Sequence, residues 1–288
     1  MELVYFDIIP SEIIELIIYR LNNDDLDALK GLINLNLNWS RIYYYRFGIY
    51  KSVDYKEYFR WISTEKLKEI LNLKASIEEL LNSKYLYLDE RQIKEIPKEI
   101  SELKELDELY LNNNQITKIP VEIGSLDKLK ELYLSNNQLT SLPKEIKYLK
   151  FLQELHLSHN ELRSIPEEIW NLRSLKKLYL DDNLIREIPK EIGSLKELVD
   201  LDLRYNEIQE IPKEIGDLAS LQDLHLSGNQ ISSIPKEIGK LKSLMKLNLS
   251  ANKITDVPEE LADLLPSTGI NLRFNQIKVL INRSNIYY

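Results

Sequence analysis

The chain has no cysteine. Disulfide caps, thiolate catalysis, thiolate zinc sites and Cys-linked lipid anchors are thereby excluded. A repeat protein exported to an oxidising compartment often carries disulfide-capped ends, so a reducing, cytoplasmic location is expected. No stretch approaches the run of about 18 apolar residues that a spanning helix needs, and no membrane association is expected. The opening MELVYFDIIPSE lacks the basic segment and apolar run of a signal peptide. Positive charge is in deficit, with 38 Lys and Arg against 46 Asp and Glu and a net charge of −8, which removes the bulk attraction that nucleic acid requires. No GxxxxGK[ST], GxSxG or HExxH segment occurs, so a P-loop, a nucleophile elbow and a helical zinc-protease site are all missing.

What is present is a period. Leu106, Leu129, Leu152, Leu175, Leu198, Leu221 and Leu244 stand 23 positions apart, as do the asparagines from Asn114 to Asn275 and the prolines from Pro97 to Pro258. A fixed period of this size specifies a solenoid. The unit reads LxxLxLxxNxIxxIPxEIxxLxx and mixes two spacings. Leu109 and Leu111 are two apart and share one face of an extended segment, while Tyr110 points to the other. Ile116, Ile119, Ile123 and Leu126 return at three- and four-residue steps, the spacing of a short helix or 3₁₀ turn. Pro120 is expected at the first helical position of that turn, where its fixed φ is acceptable.

One unit cannot bury its own leucines; stacked units share a continuous core. Repeated strand and return segments give parallel pairing. The asparagine amide carries both donors and acceptors for turn backbone that burial would otherwise leave unpaired. These features resemble the leucine-rich-repeat signature LxxLxLxxNxL over residues 83–288, in its 23-residue, IP/LP-containing class, which is similar to intracellular Ras-group repeat proteins. The resemblance implies an α/β solenoid, a horseshoe of about nine repeats with a parallel sheet on its concave side, where ligands usually bind. The first repeat, from Ser83, and the last, from Ser267, are degenerate, as terminal units should be. Val279, Leu280, Ile281, Ile286, Tyr287 and Tyr288 are expected to close the far end of the core.

Residues 1–61 are not repeats and read as a helical region. Within them Ile9, Pro10, Ile13, Ile14, Ile17 and Leu21, followed by Asp25-Leu26 and Trp39, resemble an F-box. That resemblance implies docking onto the Skp-type adaptor of a cullin–RING ubiquitin ligase. The alternative is a small helical cap that buries the same residues over the open end of the solenoid. Aromatics from Tyr43 to Trp61 alternate with Arg41, Arg46, Lys51, Lys56 and Arg60; the reading is a packing layer with snorkelling basic chains, not a nucleic-acid surface. Residues 62–82 repeat Leu67, Ile70, Leu71, Ile77, Leu80 and Leu81 at helical steps and read as an amphipathic N-terminal cap helix.

Concave positions fall between and after the core leucines. Position five of successive units gives Tyr87, Tyr110, Tyr133, His156, Tyr179, Asp202 and His225. Position three gives Tyr85, Glu108, Glu131, Glu154, Lys177, Asp200, Asp223, Lys246 and Gly269, a mainly acidic row, and the turn beyond adds His159 and Asp181. Neighbouring strands lie roughly 4.8 Å apart, so each row is a ladder of adjacent side chains. Tyrosine brings large contact area at low entropic cost, and the acidic row calls for a protein partner with a basic or polar surface. These rows are the expected binding face. His156 and His225 stand three strands apart, on the order of 14 Å, and cannot share one ion. No metal, cofactor or catalytic residue is assigned. The carboxylates repeat too evenly to be a positioned acid–base pair. The chain reads as a non-enzymatic scaffold or regulator that binds a protein, with an F-box-like substrate receptor as the alternative.

Overall fold

The computed structural model describes residues 55–264, 266–278 and 286–287. The F-box-like pattern, including Ile9, Pro10, Ile13, Ile14, Ile17 and Leu21, lies outside the described residues, as do Val279, Leu280, Ile281 and Tyr288. The chain divides into two units after Ile77.

In the first unit, helix α1 runs Tyr55–Ile70. Leu71 closes its last turn by donating to the Leu67 carbonyl at 3.0 Å, and Leu73 reaches the Lys68 carbonyl at 2.9 Å. Between them Asn72 takes φ +47°. A left-handed residue just past a helix end lets the chain turn back onto the last carbonyls, and asparagine tolerates it better than most residues. A second helix, α2, spans Ile77–Asn82 and lies in the second unit from Glu78 on. The stretch 62–82 is therefore shared between two helices and a turn and is not one continuous helix. The apolar spacing continued across the break, but Asn72 and the turn after it leave the helical path.

The second unit is a sheet of ten parallel strands in chain order. The first nine are β1 Tyr85–Tyr87, β2 Glu108–Tyr110, β3 Glu131–Tyr133, β4 Glu154–His156, β5 Lys177–Tyr179, β6 Asp200–Asp202, β7 Asp223–His225, β8 Lys246–Asn248 and β9 Gly269–Asn271. Each begins 23 residues after the last, and β10, Ile286–Tyr287, adds a short final strand outside that period. Registers are direct: Glu108 pairs with Glu131, Leu109 with Leu132 and Tyr110 with Tyr133. Pairing runs beyond the strands, since Leu111 N donates to Tyr133 O at 2.8 Å and Asn113 N to Ser135 O at 3.0 Å.

One face of the sheet is dry. Leu109, Leu111, Leu132 and Leu134 are fully buried, and Ile116, Ile123 and Leu126 of the return segment meet them with at most 1% exposure. Each such side chain contributes about 1.5–3 kcal/mol of transfer free energy. The return segments are 3₁₀ helices, as in Val121–Ser125. Pro120 stands one residue before that helix, in extended conformation with φ −67° and ψ 149°, and not inside it. Its carbonyl accepts the Ile123 amide at 3.1 Å, so it serves the helix as an acceptor while its own missing N–H costs nothing. Successive return segments approach closely. A Cβ on Gly124 would lie 2.5 Å from Glu145 O of the next unit, so this position has room only for hydrogen.

The asparagines line the inner turn. Asn160 Nδ2 donates to the carbonyls of Leu134, Leu157 and Ser158 at 3.0, 3.1 and 3.2 Å, and its Oδ1 accepts the Leu139 amide at 2.9 Å. Asn137 and Asn183 repeat the arrangement one unit to either side. Among the described residues, every asparagine from Asn114 to Asn252 in this row is buried and bonded in this way.

Candidate functional site

The other face of the sheet carries the residues at positions three and five. Period-two alternation turns them outward while their leucine neighbours turn in, and most are half-buried because each strand shades the next. In-register pairing converts position five into a stack of rings. Tyr87 and Tyr110 have centroids 4.6 Å apart, Tyr110 and Tyr133 4.4 Å, Tyr133 and His156 4.3 Å, and His156 and Tyr179 4.6 Å. The planes of Tyr110 and Tyr133 differ by only 6°. The strand spacing is itself a stacking distance, so identical registers bring rings together without local adjustment.

Each hydroxyl beyond Tyr87 is turned to a carboxylate. Tyr110 donates to Glu108 in a short bond, Tyr133 to Glu131 Oε2 at 2.5 Å, and Tyr179 across the strand gap to Asp200 Oδ2 at 2.7 Å. The carboxylate holds the Tyr110 proton and raises that phenol's pKa well above its ordinary value. For Tyr133 and Tyr179 burial acts first and the carboxylate second, in the same direction. His156 Nε2 faces Glu154 at 3.3 Å, yet burial among the rings outweighs that attraction and lowers its pKa. The imidazole is thus a neutral ring of the stack near neutral pH. Glu154 loses solvent too, but Lys177, 2.8 Å from Oε1, together with His156 outweighs that burial and lowers its pKa. Lys177 belongs to the position-three row but was not singled out as a contact residue. Its cross-strand register with Glu154, on β5 beside β4, was the signal.

Asp202 is the expected contact residue that the structure withdraws from the surface. It is 3% exposed, and Arg204 holds both its oxygens, Nε at 2.9 and 2.8 Å. Asp200 is buried enough that its pKa is raised, and its Oδ1 has no hydrogen-bond partner among the described residues. Asp223 pairs with Lys246 at 3.3 Å, and His225 follows two residues on in the same strand. His159 sits away from the ring stack, at the turn position, with Asp181 at 4.0 Å and Asp182 at 3.6 Å. Those three side chains bring one ligand atom each within 4.8 Å of one another, and Ser158 also donates to Asp181. His156 is not part of that group.

The turn after each strand repeats a left-handed backbone. Asn113, Asn136, His159, Asp182, Tyr205, Ala251 and Phe274 have φ between +52° and +61°, and Gly228 has φ +69°. Asparagine accepts this conformation readily; tyrosine and phenylalanine do not. Tyr205 is 57% exposed and Phe274 83% exposed. The Tyr205 ring lies over Gly228, whose added Cβ would meet Tyr205 Cδ1 at 2.6 Å. Among the described residues no helix is long and apolar enough to cross a membrane.

Comparison with known proteins gives the following. A model described as a leucine-rich repeat region matches residues 122–203 and 190–266, and a second leucine-rich-repeat model matches residues 82–139. No curated protein matches the chain. Among solved structures, a leucine-rich-repeat protein of Leptospira interrogans is 43% identical, over 64% of this chain and 47% of that one, with a TM-score of 0.61. The plant peptide hormone receptor RGFR1, solved in complex with RGF2, is 30% identical over 64% of this chain and 34% of that one, at a TM-score of 0.57. The PEPR1–AtPEP1 structure is 32% identical over 64% and 27%, also at 0.57. The chain therefore spans less than half the length of each of these solved proteins.

Proposed function

The chain belongs to the leucine-rich-repeat family, and on that premise we propose that its strand-side face, from Tyr87 to His225, docks a protein partner without catalysing a reaction. The observation that carries this reading is the ring stack with its hydroxyls turned onto carboxylates. Each bonded hydroxyl has spent its proton, so the row offers outward lone pairs and carboxylate oxygens: acceptors, repeated at strand spacing. The complementary surface is rich in donors, namely Lys, Arg and amide groups. Two of the similar solved structures are a peptide hormone receptor with RGF2 and PEPR1 with AtPEP1, which supports a polypeptide as the ligand class. A cytoplasmic setting fits a chain with no cysteine to protect.

The reading is tested by affinity capture with the full chain and with a Tyr110→Ala/Tyr133→Ala/Tyr179→Ala variant, at low and high salt. Proteins retained by the first, lost by the second and weakened by salt are the expected result. Partners indifferent to the triple substitution would place recognition on another surface. The adaptor-docking alternative rests on the pattern at residues 9–39. Its signature is recovery of a ligase adaptor by the full chain and loss of that adaptor in an Ile13→Asp/Ile17→Asp variant.

A further inference from the structure

The strand-side face changes character at its C-terminal end. Arg204 and Arg273 occupy the same position three units apart, and among the differences between their units two matter here: Asp202 is replaced by Asn271 and Asp200 by Gly269. Arg204 is clamped by Asp202, with Nη2 to Oδ2 at 2.5 Å in addition to the two Nε contacts. The residue aligned with Asp202 is Asn271, whose Oδ1 takes only the Arg273 backbone amide, at 3.1 Å. The Arg273 guanidinium lies over the Tyr287 ring at 5.8 Å, and no carboxylate among the described residues is within 4.0 Å of it.

The neighbouring amides are arranged alike. Asn248 Oδ1 accepts from Ser250 N at 3.2 Å and from Ser250 Oγ at 2.8 Å. Neither Asn248 Nδ2 nor Asn271 Nδ2 has an acceptor among the described residues. Position three, which carries Glu, Asp or Lys from β2 to β8, is Gly269 in β9. The nearest atom to a Cβ placed there is Met245 O at 3.9 Å, so the position opens into space. A hollow of about 430 Å³ opens beside Gly269, lined by Lys246, Asn248, Asn271, Arg273 and Tyr287, with His225 and Leu247 completing its wall. Of Lys246 and Arg273, only Lys246 pairs with a carboxylate among the described residues, Asp223 at 3.3 Å.

We infer that this hollow binds an oxyanion, a carboxylate or phosphate group, held by the Arg273 guanidinium, the Asn248 and Asn271 amides and Lys246. Among the described residues, a guanidinium with no carboxylate partner, two unspent amide donors and an ammonium shared with Asp223 surround one space. The planar guanidinium fork matches a pair of oxyanion oxygens, and the volume falls in the range of small-ligand sites. The site stands independently of protein docking on the ring stack.

The full chain is titrated by calorimetry with inorganic phosphate and, separately, with a capped glutamate. Saturable binding of either supports the site, and the preferred probe distinguishes free phosphate from a protein carboxylate as the source. Arg273→Gln removes the fork. Asn271→Asp rebuilds the Asp202–Arg204 clamp and satisfies Arg273 internally. Gly269→Glu fills the hollow with a carboxylate at an uncrowded position. Each is expected to weaken binding roughly tenfold or more, the loss of a charge-assisted bidentate contact. Each should keep the wild-type circular dichroism spectrum, since all three positions are at least partly solvated. Lys128→Gln, on an exposed lysine of the second repeat, should change nothing. Absence of saturable binding to both probes, binding unaltered in Arg273→Gln and Asn271→Asp, or an equal loss in Lys128→Gln would overturn the site.

Discussion

Replacing Asn160 with alanine tests whether the inner-turn amides hold the solenoid together. Asn160 donates to three carbonyls, but none depends on it alone. Leu134 O keeps Asn137 Nδ2 at 3.0 Å, Leu157 O keeps Asn183 Nδ2 at 2.9 Å, and Ser158 O keeps the Asn136 amide at 2.9 Å. The Leu139 amide has no such reserve, since Asn160 Oδ1 at 2.9 Å is its acceptor and the site is buried. An orphaned buried N–H costs about 1–3 kcal/mol, and the small cavity and weakened carbonyl bonds add about 1 kcal/mol. Asn160→Ala should therefore lose about 2–4 kcal/mol of unfolding free energy in urea denaturation followed by circular dichroism. Asn160→Asp keeps the acceptor but points charge at three carbonyls, which raises the folded-state pKa of the new carboxyl. Such a group binds more protons folded than unfolded, so stability falls as pH rises. Asn160→Asp should be worse than Asn160→Ala at pH 7 and should gain on it as pH is lowered. A loss under 1 kcal/mol in Asn160→Ala, or no pH-dependent gap between the two variants, would refute the reasoning.

Gly124→Ala should destabilise by about 1–3 kcal/mol because its Cβ would meet the Glu145 carbonyl at 2.5 Å, whereas Gly269→Ala, with 3.9 Å of clearance, should stay within about 0.5 kcal/mol; thermal melts of the pair separate crowding from glycine content. His156 has its folded pKa depressed below 6.5 by burial, so the unfolded chain binds the extra proton and stability declines as pH falls through and below 6.5. His156→Tyr, which continues the phenol row, should flatten the melting profile between about pH 5 and 7, above the range in which Glu154 titrates. Arg204→Ala leaves Asp202 buried at 3% exposure without its clamp and should lose about 2–3 kcal/mol, most of it recovered by adding Asp202→Asn, as a double-mutant cycle would measure.

The strands, their parallel order and the asparagine ladder were legible because period two, period 23 and an amide's hydrogen-bond inventory each admit one arrangement. The ring stack was legible as a row, but not as stacked rings bonded to carboxylates, because hydroxyl direction depends on which neighbour lies within reach. Tyr179 reaches Asp200 in the next strand, whereas Tyr133 reaches Glu131 in its own. Asp202 was read as exposed from its position in the row. Arg204, two residues on, folds back over it, a local pairing that strand periodicity does not reveal. Pro120 shares its φ between the extended and helical regions, so sequence alone did not settle on which side of the 3₁₀ boundary it stands. The helix break at Asn72 hid behind apolar spacing that continued through it. The C-terminal hollow depends on what is missing at 269 and 271, and an absence carries meaning only once neighbouring side chains are placed around it.

The asparagine bonds have a consequence for how such a chain can change over generations. Asn183 binds the carbonyl 26 residues before it and the amide 21 residues before it, and Asn206 does the same one unit later. No bond in that ladder depends on a residue's absolute position, only on its offset. Excising or duplicating 23 residues inside the array would therefore join surfaces that already fit, with each amide meeting an equivalent partner. Length is a free variable for this architecture, and the outward rows of rings and carboxylates lengthen or shorten with it, by whole units as well as by single substitutions.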